Sequence, residues 1–160
     1  GFMLGSSGDV RSRGRDDRRI ADLKQVQQSL QLFYLKCGFY PGSFDENSSS
    51  CGSDTVPSDW DDLRQKLKDA VIGVDNIPSD PQPQSGENYW YYAGKFTSSP
   101  KPLQCYVLKA QLETKHPNLD REDLDNSGIA GYDFLPSSPA CDDSDNSYCI
   151  GNLECFHGAK

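Results

Sequence analysis

The stretch from Arg15 to Gly38, RDDRRIADLKQVQQSLQLFYLKCG, constrains the fold more than any other part of the chain. Its apolar residues Ile20, Leu23, Val26, Leu30, Phe33/Tyr34 and Cys37 recur in steps of three and four, which keeps them on one face of an α-helix. Leu32 and Leu35 fall off that stripe, so the last turns are apolar over a wider arc. Ala21, Lys24, Gln25, Gln27, Gln28 and Gln31 are good helix formers, and no proline interrupts before Pro41. Gly38 supplies the left-handed stop expected at a C-terminus, with Pro41 close behind. A long helix with a single apolar stripe needs a second layer to cover it, and a sheet face is the simplest one.

The start of this helix runs against its dipole. Arg11, Arg13, Arg15, Arg18 and Arg19 crowd an end that disfavours positive charge, and only Asp16 and Asp17 offset them. The expectation is that more helix belongs in front of Arg15. Phe2-Met3-Leu4 followed by Gly5-Ser6-Ser7-Gly8 reads as a disordered or artificially appended segment covering residues 1–12, with one globular domain over 13–160. The interleaved acids and the lack of nearby aromatics make the Arg cluster a poor nucleic-acid surface and a better solvated or membrane-proximal helix end.

A chain of 160 residues can bury a sizeable core, and no apolar run reaches the roughly 18 residues of a membrane span. Its six cysteines, at 37, 51, 105, 141, 149 and 155, are even in number and contain no CxxC pair. The two histidines, His116 and His157, do not complete ordinary zinc spacing. Disulfides in an oxidising compartment follow. Fifteen pairings are possible, and sequence locality selects Cys37–Cys51 around a Ser/Asn-rich loop and Cys141–Cys149 around a polar one, leaving Cys105 for Cys155.

Further along, Asp45–Val56 reads as a loop. Ser58 caps a second helix whose buried stripe is Trp60, Leu63, Leu67 and Ala70/Val71, ended by Gly73. Pro and Gly punctuate the coil Asn76–Gly86. Strands are expected at Tyr89–Ala93 and Leu103–Leu112, joined by a hairpin loop, with a last short strand at Ser147–Leu153. The aromatic run Tyr89-Trp90-Tyr91-Tyr92 is read as core packing in preference to a sugar platform.

The last third is acidic: residues 111–160 hold ten Asp/Glu against three Lys/Arg. Asp123, Asp125 and Ser127, followed by Gly128, open like an EF-hand loop, but Phe134 stands where that loop needs a bidentate Glu. A calcium cage of another type, drawing on this loop or on Asp143-Ser-Asp145, is the one cofactor the sequence suggests. No G-x-S-x-G elbow, H-E-x-x-H or phosphate-cradling loop occurs, so no enzyme is expected, and His116 before Pro117 is read as a surface loop residue.

RDDRRIADLKQVQQSLQLFYLKCGFYP closely resembles the stretch that follows the membrane helix in type IV pilins and in the major pseudopilins of type II secretion. The order of later pieces matches as well: W-x-x-L-x-x-x-L (Trp60, Leu63, Leu67), IPSDP (Ile77–Pro81), the tyrosine-rich strand, and YVLKAQLE (Tyr106–Glu113). The resemblance covers about residues 10–113. It implies an α+β fold: a long N-terminal amphipathic helix on an antiparallel sheet of three or more strands, a second short helix between them, and a disulfide-bounded C-terminal region. It also implies an apolar membrane helix ahead of Arg15, which this chain is expected to lack, Gly1-Phe2 having only the look of a prepilin cleavage site.

The function implied is structural: a subunit of an extracellular filament at the cell surface, membrane-anchored before assembly. Its partners would be other copies, minor pilins and the inner-membrane assembly machinery, with no nucleic acid bound by the domain itself. A secretion pseudopilin is the alternative, and a secreted adhesion module a further one.

Overall fold

The computed structural model describes residues 7–42, 51, 55–82, 89–96, 103–152 and 155–156. The loop expectations over 43–50, 52–54, 83–88 and 97–102, like the expected disorder over 1–6, lie outside these residues. Helix α1 (Ser7–Cys37) is followed by α2 (Trp60–Asp69), then β1 (Tyr89–Phe96), β2 (Leu103–Gln111), β3 (Asp133–Leu135) and β4 (Ser147–Gly151), with 3-10 turns at Pro117–Asp120 and Asp143–Asp145. The strands form one antiparallel sheet in the order β3-β1-β2-β4. The fold is α+β, with α1 laid over β2 and β4 and α2 over β1.

The periodicity of α1 is realised as read. Ile20, Leu23, Val26, Leu30, Phe33 and Cys37 are buried, whereas Leu32 and Leu35 are exposed. Gly38 takes φ +81° and returns its N–H to the Tyr34 carbonyl at 2.8 Å, closing the last turn as a left-handed cap. At the other end the helix begins at Ser7, so the disorder expected up to residue 12 does not extend over 7–12.

Helix α2 differs from expectation at both ends. Its N-cap is Asp59, whose carboxylate accepts the Asp62 N–H at 2.8 Å, while Asp62 reaches back to the Ser58 N–H at 2.9 Å. Ser58 therefore sits one residue before the cap, because a carboxylate satisfies the orphan N–H at the positive helix end better than a hydroxyl does. At the far end Ala70 is buried but Val71 points into solvent. The Trp60 indole N–H donates to the Pro78 carbonyl at 2.8 Å and its ring meets Tyr89 edge-on at 5.3 Å, which fastens α2 and the Ile77–Pro81 segment to the start of β1.

Both faces of the sheet are covered. Tyr89, Tyr91, Ala93, Tyr106, Leu108, Ala110, Tyr148 and Ile150 turn toward the helices, and the alternate residues Cys105, Val107 and Cys149 turn to a second cluster with Leu124, Ile129, Phe134, Cys141, Cys155 and Phe156. That second layer is the C-terminal region, stapled by Cys105–Cys155 and Cys141–Cys149; Cys37–Cys51 closes the loop behind α1. Two glycines make room for it. A Cβ on Gly94 would lie 2.6 Å from the Phe134 ring, and one on Gly151 would lie 2.5 Å from Phe156.

Gly94→Ala is therefore expected to cost about 1–3 kcal/mol by overpacking, since Phe134, buried and neighboured by Tyr132 and Phe156, would have to shift. Urea unfolding measures it. A variant as stable as the parent would place Phe134 elsewhere.

Candidate functional site

Two sets of charged side chains carry the sequence-derived hypotheses, and the structure treats them differently. The basic end of α1 divides in two. Arg11, Arg13 and Arg18 are exposed, whereas Arg15 is half-buried and Arg19 is completely buried. Arg19 donates from Nε and Nη2 to both oxygens of Asp80 at 2.9 Å, from Nη1 to Asp16 at 2.9 Å and to Glu113 at 2.6 Å, and from Nη2 to the Gln82 carbonyl at 3.1 Å. Arg15 makes its own fork on Glu113, at 2.7 and 2.8 Å. The Asp16 carboxylate is completed by the Glu113 and Thr114 N–H groups, each at 2.9 Å, and by the Thr114 hydroxyl at 2.6 Å.

An Arg buried this way needs every donor used, and bidentate carboxylate pairing is the geometry that does so. Burial works against the Arg19 charge, but the hydrogen bonds it donates to Asp80, Glu113 and Asp16 outweigh it and hold its pKa above the ordinary value. Glu113 is pulled down to about 2, first by the hydrogen bond from Arg15 and then, against some desolvation, by Arg19. The expected exposure of Arg19 is thus corrected: the acids that neutralise it come from the IPSDP segment and from the end of β2, and no local pattern announces them. Arg18 pairs with Asp22 at 3.0 Å while staying in solvent, and Asp22 in turn accepts the buried Tyr89 hydroxyl at 2.8 Å.

His116 is also more enclosed than expected. It is buried, its Nδ1 accepts the Asn118 N–H at 3.1 Å, and Nε2 therefore carries the proton that it donates to Asp17 at 2.7 Å. This is a capping role for the 3-10 turn after β2 and a tie to α1.

The second set is acidic. Asp123 and Asp125 are joined by Asp143, each offering one carboxylate oxygen within 4.8 Å of the others. The Cys141–Cys149 disulfide closes the loop that carries Asp143, and that loop is tied to the one carrying Asp123 and Asp125 by the Asn126 N–H on the Cys141 carbonyl at 2.9 Å, by the Cys141 N–H on the Asn126 side-chain oxygen at 2.8 Å, and by the Leu124 N–H on the Cys149 carbonyl at 2.8 Å. Ser127, the third residue of the sequence pattern, is exposed, and Asp143 from the second acidic loop stands closer to the purpose. Oxygens spaced within 4.8 Å fit one coordination sphere of calcium, whose opposed ligands at about 2.3–2.6 Å lie about 4.6–5.2 Å apart. One Asp143 oxygen is buried without a hydrogen bond among the described residues, which suits a ligand to a hard cation. Asp123, Asp125 and Asp143 are the residues that would hold such an ion.

The aromatic run is mostly core: Tyr89 and Tyr91 are buried under the helices. Trp90 and Tyr92 are half-buried on the opposite face, with the Lys109 ammonium 5.6 Å from the Trp90 ring. A cavity of about 320 Å³ beside β1 is bounded by these residues together with Pro57, Asp59 and Pro136.

The depressed Glu113 pKa makes stability depend on pH in a defined window. Glu113 is ionised in the unfolded chain above its ordinary pKa of 4.5, so its contribution is complete above that value and is lost as pH falls toward about 2. In Glu113→Gln the part of the acid-denaturation slope between those values should flatten. An unchanged slope would mean that Glu113 is not held by the two arginines. For the acidic set, millimolar calcium should raise the melting temperature by mass action, and Asp143→Asn should remove most of that rise. A melting curve indifferent to calcium would leave the three carboxylates as ordinary surface.

Compared with family models, curated proteins and solved structures, the chain matches none.

Proposed function

We propose that this chain is the globular part of a structural subunit of an extracellular type IV pilus-like filament, serving surface attachment, twitching motility or DNA uptake, and that it is not an enzyme. The observation that carries the reading is the division of α1. From Arg15 onward its inner face is locked to the rest of the molecule by ion pairs and apolar packing, whereas positions 8–14, apart from a half-buried Ser12, are exposed. A helix built as a stalk above and a core element below suits a subunit that joins its neighbours through the stalk. The three disulfides agree with the extracellular setting, being the mark of a secreted or extracellular protein. No helix among the described residues is long and apolar enough to cross a membrane.

A subunit of a type II secretion pseudopilus is the second reading. It is favoured by the shelf formed by α2 and Ile77–Pro81, where the likeness to major pseudopilins lies and where Asp80 binds Arg19.

The test is electron microscopy of cells expressing the full-length gene with its assembly genes, comparing the parent with a double reversal of Arg11 and Arg13 to Glu. These exposed reversals should leave the fold within about 1 kcal/mol, while Arg19→Glu would remove the partner of three acids and cost about 3–5 kcal/mol. Fewer filaments in the double variant are expected if the stalk's charges guide membrane docking. Absence of filaments or secretion fibres from the parent gene would contradict the whole reading.

A further inference from the structure

We infer that the cavity beside the first half of β1 is a binding site for a neutral pyranose sugar, which Trp90 and Tyr92 take against an aromatic surface and Asp59, Ser58 and Ser137 hydrogen-bond. Such a site would serve surface attachment, but it does not rest on the filament reading. The first observation is that the aromatic run divides. Tyr89 and Tyr91 belong to the core under the helices, and their hydroxyls are spent on Asp22 and on the Pro41 carbonyl, at 2.8 and 2.7 Å. Trp90 and Tyr92 lie on the other face, about 7 Å apart by strand geometry, and both keep part of their surface in solvent. Trp90 belongs to neither apolar cluster, so its ring is aromatic area that neither core uses.

The second observation is the cavity that these two side chains share. It holds about 320 Å³ and is bounded also by Pro57–Trp60 at the start of α2 and by Pro136 and Ser137 after β3. That volume is at the lower end for small-molecule sites, about 300–1,000 Å³, and suits a ligand of a single ring. The walls are already set. The Trp60 indole is fastened to the Pro78 carbonyl at 2.8 Å, and one Asp59 oxygen accepts the Asp62 N–H at 2.8 Å. The second Asp59 oxygen is thereby left as an oriented acceptor. Ser58 and Ser137 are exposed and bring one hydroxyl each, able to donate or accept. A sugar ring asks for this combination, because its hydroxyls need both kinds of partner while its C–H face is apolar.

Charge selects among ligands of this size. Among the described residues, Asp59 is the one charged side chain on the cavity wall, so acidic sugars and phosphates are turned away. An aromatic pair beside a carboxylate is also the chemistry of an ammonium site, and two facts count against that use here. The Lys109 ammonium already stands 5.6 Å from the Trp90 centroid, within the range at which a ring holds a cation, and would repel a second one. The Asp59 charge, in turn, is offset by the N-terminus of α2 that it caps. An uncharged polyol ring is what remains.

The full chain can be titrated with methyl β-galactopyranoside, methyl β-glucopyranoside and N-acetylglucosamine, each to about 50 mM, where a contact with a Kd of about 10 mM is well populated. Amide NMR signals of residues 58–60, 90–92 and 137 should shift with at least one of the three. Trp90→Ala should weaken that binding about tenfold through the lost aromatic contact. Asp59→Asn keeps the cap of α2, since Asn serves there as well as Asp; it should weaken binding while leaving the melting temperature nearly unchanged. Choline, the ammonium probe, should leave the same amides unmoved. Glycosides that shift none of these amides, shifts that map to other surfaces, binding that survives both substitutions, or a response to choline in place of the sugars would overturn the inference. Sugar binding by the chain with no filaments in cells would count against the filament reading alone.

Discussion

A fully buried guanidinium cannot be left to itself, and the upper half of this molecule is arranged to satisfy the one at Arg19. Its partners come from three places in the chain: Asp16 from the preceding turn of α1, Asp80 from the segment after α2, and Glu113 from just beyond β2. Each is needed in a fixed position, so the helix, the Ile77–Pro81 shelf and the end of the central strand are brought to one point. Removing a single partner would strand charge in a place that water does not reach. The apolar stripe of α1 drives the helix onto the sheet, but it does not by itself choose where along the helix the sheet begins. The ion network does.

The same helix shows which parts of the fold were legible in the sequence. The stripe from Ile20 to Cys37, the Gly38 stop, the Trp60-Leu63-Leu67 face and the alternation in Leu103–Gln111 are local periodicities, and each reads directly as the burial found. The three disulfides were also accessible, because two of them close short loops and the third is what remains. What sequence proximity could not supply was the sorting of the arginines. Arg18 and Arg19 are neighbours in composition and context, yet one points to solvent and the other is enclosed by acids 61 and 94 residues away. The carboxylate that joins Asp123 and Asp125 is likewise set by the fold: Asp143 arrives on a loop tied to theirs by the hydrogen bonds of Asn126 with Cys141 and of Leu124 with Cys149, not through the spacing of an EF-hand. The period of the α2 stripe continues through Val71 in the sequence, but the backbone turns left-handed there and ends it.

The acidic C-terminal third follows a related logic. It has few helices or strands of its own and could not form a core alone. It is instead laid against the outer face of β1 and β2, where Cys105 and Val107 already alternate with the residues that face α1. Gly94 and Gly151 admit the Phe134 and Phe156 rings, and two disulfides fix the layer. Most of the acids are then left on the loops, with Asp123 the buried exception.

Helix α1 is two things at once, a largely exposed stretch ahead of Arg15 and a locked core element beyond Arg19. Residue-resolved amide hydrogen exchange on the native protein measures that division directly. Amides at 9–13 should exchange with little protection, those from Ile20 to Phe33 should approach the protection of global unfolding, and the step between them should fall at Arg15–Arg19 and move toward the C-terminus when Glu113 is replaced by Gln. Uniform protection along the whole helix, or a gradual slope indifferent to Glu113, would contradict it.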